Sequence, residues 1–382
     1  MRSRSASAAV VLAALIIGLS VCAQAQQTQP ATTQAAMRGI FVTLSKVYDY
    51  SFDATAFADP KNRSEILGTL TALARNAEEL NAHGGGLDPS FDLARRSISR
   101  DATEALASYR DQNFIGSRFI LNRITDNCVT CHTKLPAERQ FGPGKAFLDS
   151  IDMEKLPLTV RANLQIAARQ FADAQKTYED VLADPKMTAD DLAAFDVFPN
   201  YLRVSVGSMN DTKRPAATLE KFAKRADMPP ALKADVAVWI QSLQTLKLDA
   251  AKGGELVTAR AMVADARAKT AALSDRSRLV DFVGAISLVH RYLREGSRSD
   301  MEKAEAYYLL GVSESFVSRS DWISETDYLL EKAIRTAPKS DTAKQSLAFL
   351  EEYHRSGYVV PARAVPADMQ INMDELRKLV QK

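Results

Sequence analysis

Three residues close together in the chain have the types and spacing needed for cofactor chemistry. They are Cys128, Cys131 and His132, in the pattern Cys-x-x-Cys-His. On an α-helix, two thiols three residues apart lie about one turn apart on one side, and His132, four residues after Cys128, shares that side. Each thiol can add to one vinyl group of the same porphyrin, and the imidazole can then bind the iron as its proximal ligand. The motif therefore predicts one covalently attached haem c.

Two other kinds of site use the same residue types. A structural zinc site could use these residues, but the chain has no second cysteine pair to complete one, since the only other cysteine is Cys22. A redox-active dithiol of the thioredoxin type is expected beside a βαβ pattern, which the surrounding sequence does not show. Haem attachment is favoured over both, because the chain also begins with an export signal and haem c is attached outside the cytoplasmic membrane.

The N-terminus has the three parts of a secretory signal peptide. Two early arginines precede an apolar run over residues 8–21, and Ala23-Gln24-Ala25 follows as a small-residue cleavage site. The run is shorter than the roughly 20 residues that a membrane span requires. We expect a signal peptide over residues 1–25, a polar linker over 26–36, and a periplasmic mature chain with no membrane span. The alternatives are an uncleaved anchor and a lipid on Cys22.

The composition is that of a globular, mainly helical protein. Hydrophobic residues make up 46% and charged residues 25% of the 382 positions. The 49 basic and 47 acidic residues leave a net charge of +2, which gives no electrostatic case for binding nucleic acid. Glycine and proline are few (16 and 14), so we expect an all-α fold of about two domains.

Four amphipathic stretches precede or contain the motif. Their apolar residues recur at helical spacing and are Met37, Ile40, Phe41, Leu44 and Val47; Ile66, Leu70, Leu73, Ala77 and Leu80; Phe91, Ala94, Ile98, Ala102, Ala105 and Tyr109; and Ile120, Ile124, Cys128 and Cys131. Each stretch has one apolar face and the connections are short. Four such helices are expected to form an up-down-up-down bundle, a haem domain over residues 37–145.

Residues 37–140 resemble the cytochrome c-prime family of four-helix haem proteins. The resemblance rests on the number of helices and on the position of Cys128-x-x-Cys131-His132 near the end of the fourth. It implies that the two cysteines form thioether links and that His132 is an axial iron ligand. The family usually has an aromatic and then a basic residue three and four positions after the histidine, whereas this chain has Leu135 and Pro136.

The ligand at the second axial position of the haem iron distinguishes electron transfer from gas binding or peroxidase chemistry. The start of the first helix and the turn between the second and third should lie at the haem end of such a bundle, which makes Met37 and His83 candidate sixth ligands. A methionine ligand favours electron transfer, and an open site favours gas binding. A peroxidase would need a distal acid–base residue, for which His83 is the candidate. We expect an electron carrier rather than an enzyme, with a gas-binding or sensing protein as the alternative.

Residues 150–382 are expected to form helical hairpins with tetratricopeptide-like spacing. The residues that suggest this are Phe171, Ala174, Tyr178 and Leu182, and further on Leu310-Gly311 with the segment 329–334. Stacked hairpins form a concave surface suited to a peptide or protein. We therefore expect this domain to dock a redox protein partner.

We interpret the other charged or titratable residues as structural. Arg118, Arg123, Lys134 and Arg139 surround the motif and can meet haem propionates or an acidic partner, but such charges more often solvate a helix face. His290 and His354 lie on helical patterns and are expected to be core or surface histidines.

Overall fold

The structure is a computed structural model that describes residues 28–83, 89–135, 137, 142–194, 196–249, 253–318, 325–358 and 366–381. Within these ranges the regular structure is helical and no strand occurs, so the all-α expectation is confirmed. The predicted signal peptide, residues 1–25, lies outside the described residues.

Eighteen α-helices are described. They are α1 Thr28–Phe52, α2 Ala54–Ala58, α3 Arg63–His83, α4 Pro89–Arg110, α5 Phe114–His132, α6 Gly142–Asp149, α7 Leu158–Ala167, α8 Phe171–Ala183, α9 Ala189–Ala194, α10 Val197–Leu202, α11 Lys213–Phe222, α12 Pro230–Thr245, α13 Glu255–Ala268, α14 Leu279–Arg294, α15 Asp300–Val317, α16 Glu325–Thr336, α17 Asp341–Tyr358 and α18 Ala367–Gln381. A π-helix, Arg203–Ser208, follows α10 directly.

The first helix begins earlier than the sequence pattern suggested. A polar linker was expected over residues 26–36, but α1 begins at Thr28. Alanine and glutamine, which dominate this stretch, have high helix propensity, and Pro30 falls in the first turn, where a missing N–H is tolerated. Polar composition alone therefore does not predict an irregular structure in this stretch.

The chain divides into two compact units. Unit 1 comprises Met1–Leu87 and Ile98–Asn122, and unit 2 comprises Asp88–Ser97 and Arg123–Lys382. The division falls within α4 and α5, whereas the sequence placed it between residues 145 and 150. The end of α5 groups with unit 2 because Val129 is buried in the same core as Ala162 and Ile166.

The predicted apolar faces of the first four long helices are buried. Of the positions named from periodicity, only Met37 and Cys131 are half-buried, and the others are less than 10% exposed. In unit 1, α1 packs along α3. Three hydrogen bonds join further pairs of helices in this unit. Ser99 on α4 donates to the Glu78 carboxylate on α3 (2.5 Å), and Ser117 on α5 donates to the Ala105 carbonyl on α4 (2.8 Å). Arg118 on α5 donates to the Ser51 carbonyl on α1 (2.7 Å).

Unit 2 is built from helices that pack in chain order. From α13 to α18 each helix contacts the next, and α13, α15 and α16 also contact the next but one. The residues expected on the inner face of α8, Phe171, Ala174, Tyr178 and Leu182, are all buried. Gly311 lets α15 approach α16 closely, since a Cβ there would lie 2.8 Å from Cγ of Leu330.

We predict that Gly311→Ala destabilises the protein by about 1–3 kcal/mol, because the added methyl group overpacks the α15–α16 contact. Its Cβ would also lie 3.3 Å from the backbone nitrogen of Leu330, so a side-chain rotation cannot relieve the whole clash. Urea unfolding followed by circular dichroism measures the change.

Gly68→Ala is the matched control for this prediction. Gly68 lies inside α3, and no atom lies within 4 Å of an added Cβ. This substitution should stabilise its helix by roughly 0.5–1 kcal/mol. If Gly311→Ala were as stable as the wild type, the close α15–α16 packing would be contradicted.

Candidate functional site

The candidate site lies on the last turns of α5 within unit 2. Cys128 and Cys131 are one turn apart, and His132 is the last residue of the helix. Cys128 is buried, and its Sγ lies 3.7 Å from the carbonyl oxygen of Ile124, while Cys131 is half-buried. The two thiols are not joined in a disulfide. The structure thus brings the three residues of the motif together as expected from their spacing.

The imidazole of His132 is oriented by the backbone of α7. Its Nδ1 lies 3.4 Å from the carbonyl oxygen of Ile166, in the last turn of that helix. The tautomer that carries its proton on Nδ1 donates a long hydrogen bond to this oxygen and leaves the Nε2 lone pair available. A backbone carbonyl is a common partner of the non-ligating nitrogen of metal-binding histidines.

Burial keeps the His132 ring neutral. The side chain is 7% exposed, and this desolvation, followed by the positive charge of Arg169, lowers its pKa to about 4. The hydrogen bonds with the backbone at Ile166 and Ala167 act in the opposite direction and are weaker. A neutral imidazole is the form that binds a metal.

Burial has the opposite effect on the first cysteine. It raises the pKa of the Cys128 thiol to about 12, and the neighbouring Cys131 adds to the shift. Redox-active dithiols depend on a lowered thiol pKa, so this environment does not favour the thioredoxin-like interpretation.

The segment after His132 is held by the rest of unit 2. The Thr133 carbonyl accepts a hydrogen bond from the Ser208 hydroxyl (3.1 Å), and the Lys134 carbonyl accepts one from Arg294 (2.7 Å). The Lys134 ammonium forms an ion pair with Glu325 in which both side chains are about 95% buried. Lys134 is therefore not the solvated charge that the sequence suggested.

A polar cleft lies beside this segment. It is lined by Thr133, Lys134, Arg203, Gly207, Val283, Ile286, Ser287, His290, Arg294 and Glu314. Arg203, whose side chain is 13% exposed, forms a second ion pair with the buried carboxylate of Glu314. His290 is 2% exposed, as expected for a core histidine. Burial raises the pKa of Glu325, the partner of Lys134.

Arg203, Glu314 and Glu325 are not predicted as site residues from the sequence. The available signal was a charge on an otherwise apolar helix face. Glu314, for example, lies in α15 within a run of buried residues from Leu309 to Val317. A charge in such a position usually needs a buried partner, but the pattern does not say which residue that partner is.

The remaining predicted residues lie elsewhere. Met37 is half-buried on α1, and His83 is the last residue of α3, with a side chain outside the described residues. Both belong to unit 1, so their assignment as sixth ligands stays a prediction. Arg118 bonds within unit 1, Arg123 pairs with Asp126, and Arg139 lies outside the described residues.

The donor set fits a porphyrin iron better than a bare ion. A porphyrin supplies four equatorial ligands, so the chain needs to supply only one or two more. Two thiols one turn apart provide the attachment points, and His132 provides an oriented imidazole. In the described part of the chain, no group of three or more His, Cys, Asp or Glu side chains is placed to hold a metal ion.

Comparison with known proteins gives no relative for the chain. No family model, curated protein or solved structure matches it. Among the helices of the described residues, none combines the length and the apolar character needed to cross a membrane.

We predict that breaking the buried Lys134–Glu325 pair is strongly destabilising. Glu325→Leu and Lys134→Met should each reduce the free energy of unfolding by about 3–5 kcal/mol, because each leaves a buried partner uncompensated. The double variant Lys134→Met/Glu325→Leu should recover most of the loss, since both charges are then replaced by apolar side chains.

Chemical denaturation of the four proteins measures this coupling. Asp149→Asn is the control, because its partner Lys145 is on the surface and both side chains are more than 60% exposed. It should leave stability almost unchanged. A double variant that is as unstable as the sum of the two single variants would contradict the buried pair.

Proposed function

We propose that this chain is a monohaem c-type cytochrome that carries single electrons. One observation carries the proposal: two cysteines one turn apart share the end of a helix with a buried histidine whose Nδ1 faces a fixed backbone carbonyl. Such an arrangement supplies both covalent attachment points and an oriented proximal ligand. When bound, the haem supplies a one-electron ferric–ferrous couple.

The residues around the motif have three tasks in this proposal. Cys128 and Cys131 hold the porphyrin through thioether links, so it stays bound whatever the size of the surrounding core. Ile166 orients His132 through its carbonyl group. Val129, on the same helix, buries its side chain in the core of unit 2 and so fixes the end of α5.

The wider architecture supports an electron-transfer protein with a docking surface. We infer that α1, α3, α4 and α5 form a four-helix bundle, because the contacts of unit 1 join α1 with α3, α3 with α4, α4 with α5 and α5 with α1. The successive packing of α13 to α18 supports a superhelical stack of the tetratricopeptide-like kind. We propose that this stack docks a redox protein partner.

We further propose that the mature protein is periplasmic. The support is the signal-like sequence before residue 26 together with a motif whose cofactor is attached outside the cytoplasmic membrane.

The first prediction is one covalent haem per chain. Wild-type protein from a host that matures haem c should give a positive pyridine haemochrome assay and the mass of one added porphyrin. Cys128→Ala/Cys131→Ala should lose covalent haem altogether, because no thioether can form. Cys22→Ala is the matched control and should retain it, since the signal peptide is removed. A wild-type chain whose mass shows no attached porphyrin, after production in such a host, would refute the proposal.

The second prediction concerns coordination. We expect a six-coordinate, low-spin ferrous haem that does not bind carbon monoxide, with Met37 or His83 as the sixth ligand. Absorption and resonance Raman spectra of Met37→Ala and His83→Ala should show which residue it is, because loss of the true ligand leaves a five-coordinate iron. A five-coordinate wild type that binds carbon monoxide rapidly would instead favour the gas-binding or sensing alternative.

A further inference from the structure

The backbone that follows His132 is held at two points by one residue of a rare helix type. Ser208 is the last residue of the π-helix Arg203–Ser208. Its hydroxyl donates a hydrogen bond to the Thr133 carbonyl (3.1 Å), and its own carbonyl accepts one from the Ala137 N–H (3.1 Å). We call these two hydrogen bonds the Ser208 clamp, since they fix the chain on both sides of the turn that leaves the motif.

The clamp completes the end of α5. The last carbonyl groups of a helix have no N–H partner four residues further on. The His132 carbonyl is satisfied in a tighter turn, by the Leu135 N–H (3.1 Å), and the Thr133 carbonyl that follows accepts from Ser208 instead. Thr133 and Ser208 are only 5% and 6% exposed, so water cannot easily replace this hydrogen bond. Loss of the hydroxyl would leave a buried carbonyl without its donor.

The π-helix is itself anchored in the interior of unit 2. Gln175 on α8 donates to the Ser205 hydroxyl (3.0 Å), and both residues are fully buried. Arg203, at the start of the π-helix, pairs with the buried Glu314 on α15. π-Helices are rare and occur frequently at functional sites. The clamp is therefore attached to two other helices and not to a surface loop.

We propose that Ser208 is a positioning residue that restricts how His132 meets the iron of the haem. This inference rests on the function proposed above. Thr133 is covalently bonded to His132, so a fixed Thr133 carbonyl limits fraying of the last turn of α5. Cys128 and Cys131 attach the porphyrin to the turn before it, so the place of the imidazole relative to the iron depends on how far the last turn can move.

The clamp and the contact with α7 constrain different parts of the same ligand. The Ile166 carbonyl lies 3.4 Å from Nδ1 of His132 and so acts on the ring. Ser208 acts on the backbone one residue further along the chain. A ring contact of 3.4 Å is long for a hydrogen bond, so it leaves the imidazole some freedom unless the backbone is also held. Both constraints are needed for a single orientation of the ligand.

The experiment is electron paramagnetic resonance of the full ferric chain with its haem attached, because the g values report the orientation of the axial ligands. Ser208→Ala removes only the hydroxyl, so it should fold and attach haem. Its spectrum should show shifted g values or a second signal, since His132 then adopts more than one orientation. Ser208→Thr keeps the hydroxyl and should restore the wild-type spectrum.

Hydrogen exchange followed by mass spectrometry gives a second measurement on the same proteins, which does not depend on the haem spectrum. The Ala137 amide donates to the Ser208 carbonyl, so its exchange reports how often the clamp opens. Exchange should be roughly fivefold faster in Ser208→Ala, the factor that corresponds to the loss of one net hydrogen bond. Ser208→Thr should exchange at the wild-type rate.

Ser346→Ala is the matched control. Ser346 lies on α17, is fully buried, and donates to the Thr342 carbonyl (2.8 Å), so the variant loses a hydrogen bond of the same kind. It should leave both the spectrum and the exchange of Ala137 unchanged. The inference is overturned if Ser208→Ala changes the spectrum no more than Ser346→Ala does. It is also overturned if Ser208→Thr behaves like Ser208→Ala, since the hydroxyl would then not be responsible.

The two proposals fail in different ways. If the wild-type chain has no covalent haem in the pyridine haemochrome assay, the proposed function fails and this inference fails with it. If every variant attaches haem but the spectra of the wild type and Ser208→Ala coincide, the function stands and only the role of Ser208 is refuted.

Discussion

The contact between His132 and the end of α7 is the constraint on which the site depends. The last carbonyl groups of a helix have no intrahelical partner of the usual kind, so they are available to other donors. Ile166 occupies this position and accepts both the Arg169 N–H and, at longer range, the His132 ring. A backbone acceptor has no rotamer freedom, so the imidazole is held by the geometry of a helix end rather than by a flexible side chain.

Buried ion pairs extend this constraint beyond the motif. Lys134 pairs with Glu325 on α16, and Arg203 of the π-helix pairs with Glu314 on α15. Removing charges from water is costly, and such pairs contribute less to net stability than to the choice of one arrangement, because a shifted partner leaves a bare charge. A displaced α16 would therefore leave a bare buried charge at Lys134, in the segment that follows His132.

Apolar periodicity in the sequence predicts the helices well, but it does not predict which residues contact one another in the fold. Apolar periodicity identified the buried faces of α3 and α4, where residues such as Leu70 and Ala102 are fully buried. Lys134 was misread as solvated because its partner lies 191 residues away, which no local pattern can reveal. The acceptor for His132 is a backbone atom, which has no side-chain signature at all. Helix formation depends on local periodicity, whereas the environment of a site depends on long-range packing.

The boundary between the two units also depends on long-range packing rather than on a local sequence pattern. The sequence places the domain junction between residues 145 and 150, where the predicted haem domain ends and the predicted hairpins begin. The extent of a compact unit depends instead on which residues are buried together. Val129 shares a core with Ala162, which lies beyond the predicted junction in the chain. The cysteines and the histidine lie on the part of α5 that belongs to unit 2, and the residues around them belong to the same unit. Helices of unit 2 beyond α5 therefore contribute to the candidate site.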